Sequence, residues 1–162
     1  MIKIGVVSDT HIHSIDNLPR IIIDSLKQMD LILHAGDFID LDVLEGFKKI
    51  NPQLKAVYGN MDSWAVRQAL AEMEIICLDG IRIGLVHGSG APANLMQTVA
   101  DKFKGKDVNC IVYGHSHLPQ NTVSRSILFF NPGSPTDKVF APYNSFGILE
   151  VTKQIKGKII KL

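Results

Sequence analysis

Five times along this chain a short apolar run ends at a glycine or polar turn that carries an aspartate, asparagine or histidine. The five words are Asp9-Thr10-His11, Gly36-Asp37, Gly59-Asn60-Met61-Asp62, His87-Gly88 and Gly114-His115-Ser116-His117. They hold four of the six histidines. The runs that lead into them are Ile2 to Ser8, Asp30 to His34, Leu54 to Tyr58, Ile81 to His87 and Cys110 to Tyr113. Rich in β-branched residues and bounded by turns, they read as buried strands. Strand ends that all carry polar side chains imply a sheet fold that delivers those side chains to one crevice.

Between the first three runs lie segments with helical spacing. Leu18, Ile22, Ile23 and Leu26 share one face of a predicted helix around Leu18 to Met29. Leu41, Leu44, Phe47 and Ile50 share another, over Leu41 to Ile50, which Asn51-Pro52 ends. The order β-α-β-α-β argues for a largely parallel sheet. Trp64 to Met73 is predicted helical, as is Ala91 to Lys104, with Pro92 placed for its first turn. Asp79-Gly80 between Glu74 to Leu78 and Ile81 to His87 is a hairpin signal. The last third is strand-rich: Asn121 to Ser124 and Ile127 to Phe130 flank Arg125-Ser126, and Ser145 to Thr152 with Lys156 to Leu162 reads as a final hairpin. Lys156, Lys158 and Lys161 on that last strand read as charges that guard a sheet edge.

With 162 residues and 46% apolar content, the chain can bury a sizeable core. No repeat, linker or composition shift divides it, so one domain over residues 1–162 is expected. No apolar run approaches a membrane span, and Asp9 and His11 interrupt the first run too early for a secretory leader. The expectation is a soluble cytoplasmic protein. Lysine plus arginine number 17 against 16 acids, which argues against long nucleic acid or a membrane as partner. Cys77 and Cys110 lie in strand-like runs without metal-site spacing and are expected to be buried reduced thiols. A homo-oligomer is left open.

The chemistry-bearing side chains sort into two carboxylates (Asp9, Asp37), four imidazoles (His11, His87, His115, His117) and one amide (Asn60). A two-residue step in extended chain would put Asp9 with His11, and His115 with His117, on one side. A carboxylate can bridge two cations more readily than an imidazole or amide can. Nitrogen and oxygen donors without thiolate suit manganese, iron, nickel, cobalt or zinc. Seven such donors exceed the four of a closed structural zinc site and point to two divalent ions about 3.5–4 Å apart. Taken singly, each has an ordinary reading: a core or surface histidine, a helix cap, a turn asparagine. Together, at successive strand ends, they do not.

This series of words resembles the calcineurin-like metallophosphoesterase superfamily, over nearly the whole chain from Ile2 to about Val151. The small size, the Asn131-Pro132-Gly133-Ser134 segment and the final strands resemble its compact bacterial and archaeal phosphodiesterase branch, to which the eukaryotic retromer subunit is related. The resemblance implies an α/β fold, a four-layer α/β/β/α sandwich of two mixed sheets flanked by helices. It implies that Asp9, His11, Asp37 and His117 hold one metal and that Asp37, Asn60, His87 and His115 hold the other. A hydroxide bridging the two metals would attack phosphorus in line, with manganese the first candidate ion. The implied activity is a metal-dependent phosphodiesterase acting on a small phosphoester.

Met61 departs from the pattern of larger relatives, which carry at this position a histidine proposed to protonate the leaving oxygen. Asp62, which would orient that histidine, remains. Loss of the proton donor tilts the expectation toward diesters with good leaving groups. His13 is the first replacement candidate, against its reading as an exposed loop histidine, and the catalytic candidates are therefore Asn60, Asp62 and His13. His34 is read as packing or orienting a ligand. Phe140 and Tyr143 are candidate pocket walls, against ordinary packing, and Lys138 is the nearest cation beyond Ser134. The competing functional reading is a metal-binding protein-interaction scaffold of the retromer-subunit type with little or no turnover.

Overall fold

The structure, a computed structural model, describes all residues from Met1 to Leu162. Ten strands form two five-stranded sheets. In the first, β1 (Ile2–Val7), β2 (Leu31–His34) and β3 (Leu54–Ala56) run parallel, and β9 (Ser145–Val151) and β10 (Ile155–Lys161) add antiparallel in the order β10-β9-β1-β2-β3. The second has the order β4-β5-β6-β8-β7. Its centre is parallel, from β5 (Ile81–Val86), β6 (Cys110–Val112) and β8 (Ile127–Asn131). Its edges, β4 (Met73–Leu78) and β7 (Gln120–Ser124), are antiparallel.

Three separate apolar clusters show how the layers stack. Ile4, Val6, Leu33 and Leu149 of the first sheet meet Ile83, Leu85, Val112 and Phe130 of the second. On its other face the first sheet packs Val7, Ile32 and Phe146 against helices α1 (Arg20–Leu26), α2 (Leu41–Ile50) and α3 (Trp64–Ala69). The second sheet packs Val86, Ile111 and Phe129 against α4 (Leu95–Lys102). Helix, sheet, sheet and helix are thus held by three hydrophobic interfaces. Central strands buried on both faces explain why runs such as Ile2 to Val7 show no polar alternation. No helix is long and apolar enough to cross a membrane.

Both tight hairpins have the backbone that a two-residue turn between paired strands calls for, although only Asp79-Gly80 announces it in sequence. Asp79 (φ 48°) with Gly80 (φ 83°), and Arg125 (φ 49°) with Ser126 (φ 66°), are left-handed at both central positions. That is the turn whose twist matches paired strands. The lysine-bearing strand β10 is indeed a sheet edge, with Lys156, Lys158 and Lys161 exposed.

Several boundaries differ from the sequence expectation. The helix predicted over Trp64 to Met73 stops at Ala69, because Ala71 pairs with Val57 and Met73 opens β4. The segment predicted as a helix from Leu18 begins only at Arg20, after a short helical turn over Ile15–Asn17. Cys77 is exposed rather than buried, while Cys110 is buried as expected. On edge strand β4, Ile76 and Leu78 turn into the inter-sheet core and Cys77 takes the opposite face.

Candidate metal centre

All seven expected donors come together where strand ends of both sheets meet. Asp9 and His11 follow β1, Asp37 follows β2 and Asn60 follows β3. His87 follows β5, and His115 and His117 follow β6. Asp37 Oδ2 lies 3.4 Å from both His11 Nε2 and His87 Nε2. Asp9 Oδ1 lies 3.5 Å from His117 Nε2, 3.8 Å from His87 Nε2 and 3.9 Å from His11 Nε2. Asn60 Oδ1 closes the set, 3.1 Å from His87 Nε2 and 3.0 Å from His115 Nδ1.

The backbone reaches this arrangement by a route the sequence reading did not foresee. Five of the ten non-glycine residues with positive φ are Asp9, His11, Asp37, His115 and His117. Each left-handed residue costs about 1–2 kcal/mol, so strain is concentrated at the donors. The Asp9–His11 and His115–His117 pairs share a side through these left-handed turns, not through an extended two-residue step. Glycines make the close approach feasible. A Cβ on Gly59 would collide with Asp37 Oδ1, and one on Gly36 (φ 100°) would sit 2.8 Å from His87 Nδ1.

The outer nitrogen of three rings is anchored, which turns the inner nitrogen toward the cluster. His87 Nδ1 donates to Ala35 O at 2.7 Å, and His115 Nε2 to Gly90 O at 3.1 Å. His117 Nδ1 pairs with Asp137 Oδ2 at 2.6 Å. Asp137 was not legible in the sequence: it lies 20 residues past His117, in a proline-bounded loop with no strand register to place it.

The donor set fits a cation. Asp9 and Asp37 are buried, at 0% and 2% exposure, and their ion-pair partners are imidazoles alone. Buried carboxylates of this kind need a compensating positive charge. His11 Nε2 and His117 Nε2 are 3.2 Å apart, too close for both to carry hydrogens, so they share a proton or a cation. Two groups of three, Asp9-His11-His117 and Asp9-Asp37-His87, have their donor atoms within 4.8 Å of one another.

Titration behaviour reflects the same crowding. Burial by itself would lower the pKa of His87, but Asp37 and Asp9 overcome it and push the ring to about 9. Burial likewise opposes protonation of His117, yet Asp9 and Asp137 bring it to about 9. Against a burial effect of opposite sign, His117 and the N–H groups of Val139 and Ala141 hold Asp137 down at about 2. Asp37 is also lowered, its burial outweighed by His87 and the Met61 N–H.

The other candidates fall elsewhere. Asp62 is buried and accepts N–H groups from Gly59 (2.7 Å), Asp37 (3.0 Å) and Ile39 (2.7 Å). It clamps two donor loops together and does not line the cavity over the donors. His13 is exposed, pairs with Asp40 at 2.6 Å and does not line that cavity either. His34 is fully buried; Gly36 N–H donates to its Nδ1, its Nε2 is 3.3 Å from Thr10 Oγ1, and Thr10 donates on to Asp37 O. It therefore supports the Asp37 loop from behind, as the sequence suggested.

The Asn131 to Ser134 segment also lies at the centre. Asn131 donates to Gly114 O at 2.9 Å and Ser134 to Asp9 O at 2.7 Å, tying loops from the two sheets together. Over the donors opens a cavity of about 1010 Å³. Met61, Lys138 and Phe140 line it; Tyr143 instead stacks beneath Lys161.

The model of the calcineurin-like phosphoesterase superfamily domain matches residues 2–154. A Methanocaldococcus jannaschii protein named "Probable metallophosphoesterase" is 34% identical over 166 residues, which span 98% of this chain and 81% of that protein. A phosphodiesterase of the same organism is 28% identical over 170 residues, spanning 98% of each. Among solved structures, zinc-complexed Vps29 of Entamoeba histolytica superposes with a TM-score of 0.76 at 23% identity, covering 98% of both chains. The last likeness bears on fold alone.

Proposed function

The chain belongs to the calcineurin-like phosphoesterase superfamily, and from that premise we propose that it is a binuclear metal-dependent phosphodiesterase. The observation that carries this reading is the position of Asp37 Oδ2, equidistant at 3.4 Å from His11 and His87. Those rings belong to the two donor sets that the family pattern implies, and Asp37 stands nearer to both than Asp9 Oδ1 does, at 3.9 and 3.8 Å, which makes Asp37 the better suited of the two carboxylates to bridge. Two divalent ions held there would supply Lewis-acid charge to the phosphoryl oxygens and lower the pKa of an attacking water. Manganese is the ion we propose, and iron, nickel, cobalt and zinc match the same donors.

The chain's own residues do the positioning. His87, His115 and His117 present one nitrogen each because Ala35, Gly90 and Asp137 hold the other. Asp37 keeps its orientation through the Met61 N–H, which reaches Oδ1 at 2.8 Å. The Met61 side chain lines the cavity but has no proton to give. The carboxylate of Asp62 is engaged by three backbone N–H groups, so it acts as a positioning group. The preferred substrate is accordingly a diester whose leaving group needs little protonation.

The test is hydrolysis of bis(p-nitrophenyl) phosphate with Mn²⁺ by the wild type, Asp37→Asn and His115→Ala. Losses on the order of 100-fold or more are expected in both variants, as for removal of an electrostatic stabiliser of a transition state. Equal rates in all three proteins would sink the proposal.

A further inference from the structure

The cavity is far larger than a phosphate needs, and one of the loops that line it, Pro135 to Asn144, carries an aromatic ring. Phe140 on that loop is 74% exposed, yet it stands beside the metal centre, with its ring 6.2 Å from that of His117 at 73°. An exposed phenylalanine at a cavity wall is an uncovered flat apolar surface.

The loop that carries it is fixed. Asp137 accepts the N–H groups of Val139 (2.8 Å), Phe140 (3.0 Å) and Ala141 (2.8 Å), and the same carboxylate anchors His117. The Ser134 hydroxyl takes the Asp137 N–H at 3.0 Å. The backbone of Phe140 is therefore held near the donors through Asp137. Beside it, Lys138 is the one lysine or arginine that lines the cavity. A single cation next to a flat ring suits one anionic phosphodiester with an aromatic substituent.

Resting on the proposed phosphodiesterase reading, we infer that Phe140 is a specificity residue, a platform on which an aromatic substituent of the substrate stacks. The substrate class is a phosphodiester bearing a planar ring, either a nucleobase or a simple aryl group. Leu118 and Met61, at 42% and 55% exposure, extend the apolar rim on the same cavity.

The experiment measures binding, so it does not depend on turnover. Manganese-loaded protein is titrated calorimetrically with phenylphosphonate and methylphosphonate, and separately with thymidine 5′-monophosphate and deoxyribose 5-phosphate. The wild type is expected to prefer the ring-bearing member of a pair by about tenfold, the scale of one aromatic stacking contact. Phe140→Ala is expected to abolish that preference and Phe140→Trp to restore it. A preference in the thymidine pair assigns the ring to a nucleobase, and one confined to phenylphosphonate assigns a simple aryl ester; both support the platform. Absence of preference in both pairs, or a preference that survives Phe140→Ala, overturns it. Failure of the wild type to hydrolyse any diester would count against the proposed activity and leave this readout standing.

Discussion

His34 shows how one residue behind the donors sets a measurable property. Burial, followed by the nearby charge of His87, holds its pKa well below the usual 6.5. Because the folded value lies below the unfolded one, the unfolded chain binds more protons as pH falls. Stability from this group is complete above about pH 6.5 and declines from there toward the folded value. His87 and His117, raised to about 9, behave oppositely: their contribution is lost as pH rises through 9 and is full and flat below 6.5. Urea unfolding of metal-free protein between about pH 6.5 and 5 should therefore show falling stability, by at most about 1.4 kcal/mol per pH unit from this residue. In His34→Gln, whose amide can both accept from Gly36 and donate to Thr10, that slope should shrink. An unchanged slope would show that another group titrates there.

Met61 supports a second prediction at the same scale. Its side chain is half-exposed and lines the cavity, so a histidine there has room and keeps the N–H that holds Asp37. Met61→His should raise hydrolysis of phenyl esters relative to p-nitrophenyl esters by about tenfold or more, since proton donation helps poor leaving groups most. A ratio of the two rates that does not move would mean the missing proton donor is not what limits the range of substrates. The carboxylate of Asp62 is already bound to backbone and does not orient the new ring. The sequence could show that Met61 lacks a proton. It could not show that Asp62 had taken on a clamping task, because that depends on which N–H groups the folded loops present.

At the scale of elements, the hairpins carry the clearest test. Arg125 and Ser126 both occupy the left-handed region, which asparagine and glycine adopt more easily. The double substitution Arg125→Asn with Ser126→Gly should stabilise the protein by about 1 kcal/mol in denaturant unfolding, with no change in diester turnover. Destabilisation would mean that the two side chains make contacts worth more than the backbone strain. Asp79-Gly80 announced its turn in sequence through local conformational preference alone. The end of α3 did not, because Ala71 is drawn into pairing with Val57 by a strand distant in sequence. Exposure of Cys77 was hidden for a similar reason: an apolar run does not reveal that its strand lies at a sheet edge.

Across the whole molecule, the donors divide between the two sheets. Asp9, His11, Asp37 and Asn60 extend from the first sheet, and His87, His115 and His117 from the second. The identity of the donors was legible because each ends an apolar run. Their convergence was legible only through the family pattern, since nothing local states that two sheets pack face to face with these ends together. Asp137 was the part least open to reading, as its loop takes its shape from hydrogen bonds to Asp137 itself, whereas Phe140 was a candidate pocket wall and does line the cavity. The central claim is that this junction binds two ions that act together. Its most direct test is to titrate Mn²⁺ into metal-free protein at a concentration well above the dissociation constant while following bis(p-nitrophenyl) phosphate hydrolysis. The rate is expected to stay low through the first equivalent and to saturate at the second; saturation at one equivalent, or a rate indifferent to the metal, would rule out a pair of ions acting together.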